Sequence, residues 1–374
     1  MSTVFVTGGN GFLGSYACTR LLSDTPRELA LLVRGRDRRE QLEKLWATWQ
    51  LHLSPDAFAA VLPRITFVQG DLHAPDLGIA PADRDALTER VGSILHIAAS
   101  LNRKSEKACL NTNLRGTLSV AKLARHLKDR GQLTRLSHVS TVAVAGHRSR
   151  EVVQEDSAVD WERSDYDPYG RTKKFCEHLL RELLPDVRRT YLRPSIVMGD
   201  SRFAMTTQFD MVRAFCVIAD LPLIPLDPST RQDIVNADWV GRAIATIHDN
   251  PDPRWEIYHL SAGTSSCRAD HIAHALVGRL GRKARFAGPL AGAFEQMIRV
   301  LDKAPRGTTA AGIGALLKVF WPYVTYDTVF ANERAVAEVG AAPVPFPEYC
   351  ADLYEWAHAN RFRYPAVALP AGIR

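Results

Sequence analysis

Apolar and polar positions are distributed in blocks along the first half of the chain. Short apolar or β-branched runs occur at Ser2–Val6, Leu29–Val33, Ile65–Gln69, Ser93–Ile97, Leu133–Val139 and Thr190–Leu192. Between them lie longer segments with apolar residues three and four apart, among them Gly11–Leu22, Asn113–Leu127 and Tyr169–Leu184. The first pattern predicts strands and the second helices. Strands alternating with helices indicate βαβ units, and so an α/β fold built on a Rossmann-type, doubly wound parallel sheet.

After about Gly199 the texture changes. A proline-rich stretch, Leu221–Pro228, leads into Ile234–His248, which reads as a further helix of the sheet layer. From Pro251 onward come helical patterns, a Gly/Ala-rich segment (Ala304–Ala315) and an aromatic run (Val319–Tyr326). The expected organisation is a dinucleotide-binding domain over residues 1–250, with a substrate-domain insertion near 200–230. Residues 251–374 then form a smaller, mostly helical C-terminal substrate domain capping the sheet. No internal repeat interrupts this pattern.

Composition narrows the class. With 374 residues, 46% hydrophobic and 24% charged, the chain is long enough for a substantial core. No apolar run reaches bilayer length and no basic-then-apolar leader precedes the first strand, so a cytoplasmic protein without a membrane span is expected. The six cysteines are scattered without a Cys-x-x-Cys pair, which argues against a metal site or a disulfide framework and for reduced thiols. A net charge of +6 fits a solvated, arginine-rich surface, or arginines that meet a phosphorylated cofactor or carrier group. The basic residues are not interleaved with aromatics, so nucleic acid is not an expected partner.

The first strand runs into Thr7-Gly8-Gly9-Asn10-Gly11-Phe12-Leu13-Gly14. In such a turn one glycine permits the bend, one lets backbone approach a pyrophosphate, and one allows close helix–strand packing. Backbone N–H groups and the positive helix end then hold the diphosphate. Where an acidic residue would meet an adenine-ribose hydroxyl, the end of the second strand reads Leu32-Val33-Arg34-Gly35-Arg36-Asp37-Arg38. A guanidinium at Arg34 can pair with a 2′-phosphate and stack on adenine, so NADP(H) is expected over NAD(H).

Tyr169-Gly170-Arg171-Thr172-Lys173 opens a helix just after Asp167-Pro168. Tyr169 and Lys173 share a helical face. This suits a phenol that exchanges a proton with a carbonyl or alcohol oxygen, the nearby ammonium favouring phenolate. Upstream, Ser140 and Thr141 follow a strand, at the end where ligands of doubly wound sheets bind, and either hydroxyl could donate to the same substrate oxygen.

In this order the motifs resemble those of extended short-chain dehydrogenases. They are the Gly8–Gly14 turn, Gly70-Asp71-Leu72, His96-x-Ala98-Ala99, Asn113-x-x-Gly116-Thr117, Ser140-Thr141, Tyr169-x-x-x-Lys173 and Leu192-Arg193-Pro194-Ser195. More narrowly the chain resembles the thioester-reductase branch, which includes fatty acyl-CoA reductases and terminal reductase domains of carboxylic acid reductases and nonribosomal peptide synthetases. The pointers are Gly70-Asp71-Leu72-x5-Gly78, Arg34, Arg193-Pro194-Ser195-Ile196-Val197-x-Gly199 and Val235-x-x-Ala237-Asp238-Trp239-Val240. The similarity spans roughly residues 3–265.

The resemblance implies Tyr169 as proton donor, and Lys173 as the residue that binds the nicotinamide ribose and tunes Tyr169. It implies Thr141, with Ser140 as runner-up, as hydrogen-bond donor to the substrate oxygen, and Asn113 as a support for Lys173 through water. Gly8, Asn10, Gly11, Phe12, Leu13 and Gly14 would hold the diphosphate. Asp71 and Leu72 would flank adenine, Ala98 and Ala99 would line the cofactor groove, and Pro194 with Ile196 would lie near the nicotinamide. Ala145 stands where sugar-nucleotide relatives usually have Tyr, which weakens an epimerase reading.

Three function classes remain open at this point. One is an NADPH-dependent reductase of an acyl thioester, carried on CoA or a separate carrier protein, to aldehyde or alcohol. The second is a ketone/hydroxyl oxidoreductase or nucleotide-sugar epimerase/dehydratase, and the third a cofactor-sensing binding protein. An apolar lining for an acyl chain is sought in Ile313–Phe330, whose spacing fits a plain helical core equally well. Either a monomer or a homodimer is compatible with the sequence.

Overall fold

The computed structural model describes residues 3–131, 133–156, 159–280 and 284–373. Ser2, which opens the first predicted strand, lies outside the described residues. Seven strands form one sheet: β1 (Thr3–Thr7), β2 (Leu29–Val33), β3 (Ile65–Gln69), β4 (Val91–His96), β5 (Arg135–Val139), β6 (Arg188–Pro194) and β7 (Ile257–Leu260). Their order is β7-β6-β5-β4-β1-β2-β3, with every neighbour parallel. β2 and β3 fall on the predicted residues, and β1, β4, β5 and β6 differ by one or two residues at one or both ends. β7 lies beyond residue 250, so the sheet takes a further strand after the point where the sequence pattern places the end of the dinucleotide-binding domain.

Among the helices packed on the sheet are α1 (Phe12–Asp24), α2 (Arg38–Trp49), α3 (Gly116–Asp129), α4 (Pro168–Leu183) and, later in the chain, α6 (Ala237–Asp249). The two sheet faces carry separate apolar cores. One joins Leu21, Leu31, Trp46, Trp49, Val240 and Ile244. The other joins Phe5, Val120, Leu127, Leu136, Leu180 and Tyr191. Because both faces are covered, the strands are buried along most of their length, which is what their apolar runs require. α1 and α6 approach so closely that a Cβ added at Gly241 would lie 2.2 Å from Cβ of Tyr16.

The expected helix Ile234–His248 begins only at Ala237. Ile234 and Val235 instead pair in parallel with Ile196 and Val197. Both pairs are β-branched, and Asn236 then interrupts the pattern with side-chain bonds to Ser201 and Asp238.

Further helices are α5 (Asp210–Ala219), α7 (Ala269–Leu280), α8 (Ala291–Leu301), α9 (Thr309–Thr325) and α10 (Cys350–Ala359). They build two further cores. Val212, Cys216, Ile272, Phe330, Phe346 and Leu353 form one, and Ile218, Phe294, Ile298, Leu317, Trp321 and Val324 the other. The C-terminal segment also returns to the sheet, where Ala335 and Val339 join the first core. Among the described residues no helix is long and apolar enough to cross a membrane.

A buried ion pair fixes β6 to α4. Arg193 donates from Nε to Glu177 Oε1 at 2.9 Å and from a terminal nitrogen to Oε2 at 2.6 Å, with both side chains at most 3% exposed. Removing one partner leaves the other charge buried and uncompensated, which costs about 3–5 kcal/mol, whereas replacing both with apolar groups is often near neutral. Arg193→Met should therefore destabilise the protein by about that much in urea unfolding. The double variant Arg193→Met/Glu177→Met should recover most of the loss.

Candidate active site

The sheet order reverses at β1 and β4, and the loops leaving their C-terminal ends diverge to open a crevice. Gly8 takes φ +78°, and a Cβ there would lie 2.6 Å from the backbone nitrogen of Ala98 after β4. A Cβ at Gly14, inside α1, would lie 1.9 Å from the carbonyl oxygen of Gly8. Side chains at either position would separate strand, turn and helix. Gly11 caps α1 without a side-chain hydrogen bond to the first-turn N–H groups. A backbone cradle at a positive helix end fits a diphosphate.

The crevice is a cavity of about 460 Å³. Gly8, Asn10, Gly11, Phe12, Leu13 and Gly14 form one wall, and Arg34, Asp71 and Leu72 close the end beyond β2 and β3. Ala98 and Ala99, Ser140 and Thr141, Pro194 and Ile196, and Tyr169 with Lys173 complete the part above the strand ends. All the sequence-selected residues meet there except Asn113.

Asn113 is buried behind the wall in an irregular π-helical turn, Leu110–Arg115. Its Oδ1 accepts from the Ser100 N–H at 2.7 Å, and its Nδ2 donates to the Ser100 carbonyl at 3.3 Å and to Thr172 Oγ1 at 3.0 Å. It joins the loop after β4 to α4 through the residue preceding Lys173.

Of the four arginines just after β2, Arg34, Arg36, Arg38 and Arg39, only Arg34 lines the cavity. Arg36 is turned to Glu40 at 3.1 Å, and the Arg38 guanidinium lies 5.1 Å from the Phe67 ring centre. Asp71 accepts from the backbone N–H of His73 at 2.9 Å and lies 2.8 Å from its Nδ1. Burial works to raise the Asp71 carboxyl, and the His73 hydrogen bonds outweigh it and hold the group below its ordinary value.

Asp167 caps α4 by accepting from Gly170 N–H at 2.8 Å, which fixes the helix start two residues before Tyr169. Tyr169 is buried, and burial pushes its phenol up to about 12. The Arg103 guanidinium and a hydrogen bond from Thr141 pull it down, while Asp167 and Cys109 push it up. Beside Lys173, which the sequence assigns as the tuning cation, the structure brings a second cation to Tyr169. Lys173 Nζ donates to the Val139 carbonyl at 2.7 Å, and the cation lying over the Tyr169 ring, 5.0 Å from its centre, is Arg103. Burial also pulls the Lys173 ammonium below its ordinary value, against opposing effects of Cys176, Glu177 and Cys109.

Ser140 and Thr141 divide their bonding. Thr141 Oγ1 accepts from Ala143 N–H at 3.2 Å as well as acting on Tyr169. Ser140 Oγ is buried without a hydrogen-bond partner among the described residues.

Beyond Tyr169 the wall becomes aromatic, with Tyr166, Phe320, Tyr323, Tyr326 and Phe330. Ile313–Phe330 divides between the cavity wall and the core. Phe320, Tyr323, Tyr326 and Phe330 face the cavity, whereas Leu317, Trp321 and Val324 pack in the core with Phe294 and Ile298 of α8. Arg103 is the site residue that sequence reasoning missed. It sits in Asn102-Arg103-Lys104, indistinguishable from a solvated basic loop until the fold places it against Tyr169, Phe320 and Tyr323.

The family model described as Male sterility protein matches residues 6–244. A putative fatty acyl-CoA reductase of Drosophila melanogaster is 28% identical over 283 residues, covering 65% of this chain and 54% of that protein. L-2-aminoadipate reductase of Schizosaccharomyces pombe is 26% identical over 274 residues, covering 70% of this chain and 19% of that protein. The solved terminal R domain from the myxalamid PKS-NRPS biosynthetic pathway shares the fold, with a TM-score of 0.81 at 23% identity, over 97% of this chain and 92% of that one. The chain spans about half the length of the first curated relatives it matches. Since the family model covers well over half of it, the chain belongs to the Male sterility family of NAD-binding proteins, within the thioester-reductase branch of the extended short-chain dehydrogenases.

Proposed function

We propose that this chain reduces an acyl thioester, held on CoA or on a separate carrier protein, to the aldehyde or alcohol with NADPH. The observation that carries the reading is the continuity of one cavity. It runs from the glycine turn, past Thr141 and Tyr169, to the aromatic wall of α9, so a dinucleotide, a reacting oxygen and an apolar chain can share it. The family and the reductase names of its relatives support the same reaction class.

When bound, the reduced nicotinamide supplies the hydride. Thr141 and Tyr169 are the groups we assign to the substrate oxygen. They donate hydrogen bonds as negative charge develops on it, and Tyr169 passes its proton. Collapse of the hemithioacetal expels a thiol without an acyl-enzyme. In keeping with this, the buried Cys109 Sγ is directed at the Ser100 and Asn102 carbonyls and does not line the cavity.

NADPH is favoured by Arg34, which lines the cavity at the end of β2 while its neighbours are engaged elsewhere. Arg34→Asp should erase or reverse the preference for NADPH over NADH, at about 1.5–3 kcal/mol or roughly ten- to over a hundredfold in affinity. Titration of both cofactors checks this, and equal catalytic efficiency with both in the unaltered protein would count against the assignment.

Tyr169→Phe should lower kcat by about two to four orders of magnitude while leaving NADPH affinity nearly intact. Lys173→Ala should damage both. Thr141→Val should cost more than Ser140→Ala, and the opposite order would transfer the role to Ser140.

The substrate class is tested by stoichiometry. With a panel of acyl-CoA and acyl-carrier thioesters, thiol should be released in step with NADPH oxidation at 340 nm. Reduction of a ketone with no thiol released from any thioester would show a carbonyl reductase instead.

A further inference from the structure

Resting on the proposed reaction, the geometry points to a second residue that acts through Tyr169. We propose that Arg103 stabilises the negative charge left on Tyr169 as it gives up its proton, with Asp167 and Tyr323 holding the guanidinium in place.

Arg103 leaves the loop after β4 and enters an aromatic enclosure. Its guanidinium carbon lies 5.0 Å from the ring centre of Tyr169, 5.2 Å from that of Phe320 and 5.2 Å from that of Tyr323. Asp167 lies 3.3 Å from Arg103 Nε, and the two side chains are only 17% and 11% exposed. Asp167 in turn accepts from Tyr323 Oη at 2.7 Å through the oxygen that faces Arg103, while its other oxygen caps α4. A carboxylate shared among a helix end, a phenol and a guanidinium is less able to cancel the guanidinium's field at Tyr169.

The groups facing Tyr169 can be set against one another. Arg103, from the loop after β4, and Thr141, after β5, favour its charged form, while Asp167, at the start of α4, and Cys109 oppose it. Lys173, one turn along α4, is bonded to the Val139 carbonyl, and Tyr323, from α9, is bonded to Asp167. Arg103 has the largest favourable influence on the Tyr169 phenolate. A buried cation near a developing anion is worth far more than one in water.

The step balances simply. The substrate carbon takes hydride from the reduced nicotinamide, the Tyr169 O–H bond breaks, and its proton forms a bond to the substrate oxygen. The electron pair stays on Tyr169 as phenolate until solvent reprotonates it. Arg103 changes no bond and acts on that phenolate alone.

The test is a titration that needs no substrate. A fluorinated tyrosine, whose phenol is intrinsically more acidic, is installed at position 169 of the full chain and its ionisation followed by absorbance. Both neutral variants, Arg103→Met and Arg103→Gln, should raise its pKa by about one unit or more. Arg103→Lys should return it most of the way, and Tyr323→Phe should raise it by less. With natural Tyr169, Arg103→Met should lower kcat about ten- to a hundredfold, leaving KM and NADPH affinity within about twofold. Arg103→Lys should restore part of that kcat.

An unmoved titration in any folded neutral variant overturns the proposal, as does an Arg103→Met that raises KM alone. If the neutral variants do not fold, an unmoved titration in Tyr323→Phe overturns it as well. Because the titration is independent of turnover, a parent protein that reduces no thioester would refute the proposed function and leave this inference to its own result.

Discussion

Everything functional in this chain depends on how closely the turn after β1 can approach the end of β4. Thr7 sets the distance: its carbonyl accepts from Ile97 and Ala98 N–H at 3.1 and 3.2 Å, and its hydroxyl is 3.3 Å from Ala98 N. Gly8 then passes Ala98 with no room for a Cβ, and Gly14 brings α1 down onto the Gly8 carbonyl. The three contacts form one steric unit. They aim the start of α1 into the crevice while leaving its N–H groups uncapped by side chains, and that arrangement makes the strand-order reversal a dinucleotide cradle rather than a packed loop.

The other half of the cavity comes from segments distant in sequence. α9 turns one face to the site and the other to α8, so the same helix supplies wall and core. It is tied to α4 through Tyr323 and Asp167, and Asp167 caps this helix, which presents Tyr169. The placement of α9 and the start of the helix bearing Tyr169 are thus coupled through a single carboxylate. Movement of α9 would disturb the start of α4 before it reached the dinucleotide cradle, which is anchored separately on β1 and β4.

What the sequence revealed divides along the same line. The first six strands of the sheet, the glycine turn and Tyr169-x-x-x-Lys173 are local patterns, with spacing imposed by pleat, helix pitch or close approach, and are legible without a structure. The helix start at Ala237 was not, because Ile234 and Val235 suit either state and their partner strand, Ile196–Val197, is distant in the chain. β7 escaped notice for a similar reason. Ile257–Leu260 is four residues long, and its pairing with β6 is a tertiary fact. The role of Arg103 was invisible because nothing around it in sequence separates a buried guanidinium from a solvated one. Asn113 was readable as a motif, but its bonds to Ser100 and Thr172 were not.

Three buried cations in and beside the site have partners of three kinds. Arg193 has a bidentate carboxylate, and the pair serves the β6–α4 contact. Lys173 has a backbone carbonyl, a partial charge that leaves most of the ammonium's field uncancelled while burial pulls its pKa down. Arg103 has a carboxylate whose charge is shared with a helix cap and a phenol, together with three aromatic faces. Full neutralisation would make Arg103 another structural pair, and no partner at all would make its burial too costly to keep. The graded pairing explains how a charged side chain can sit largely buried at the edge of the cavity and still act on Tyr169.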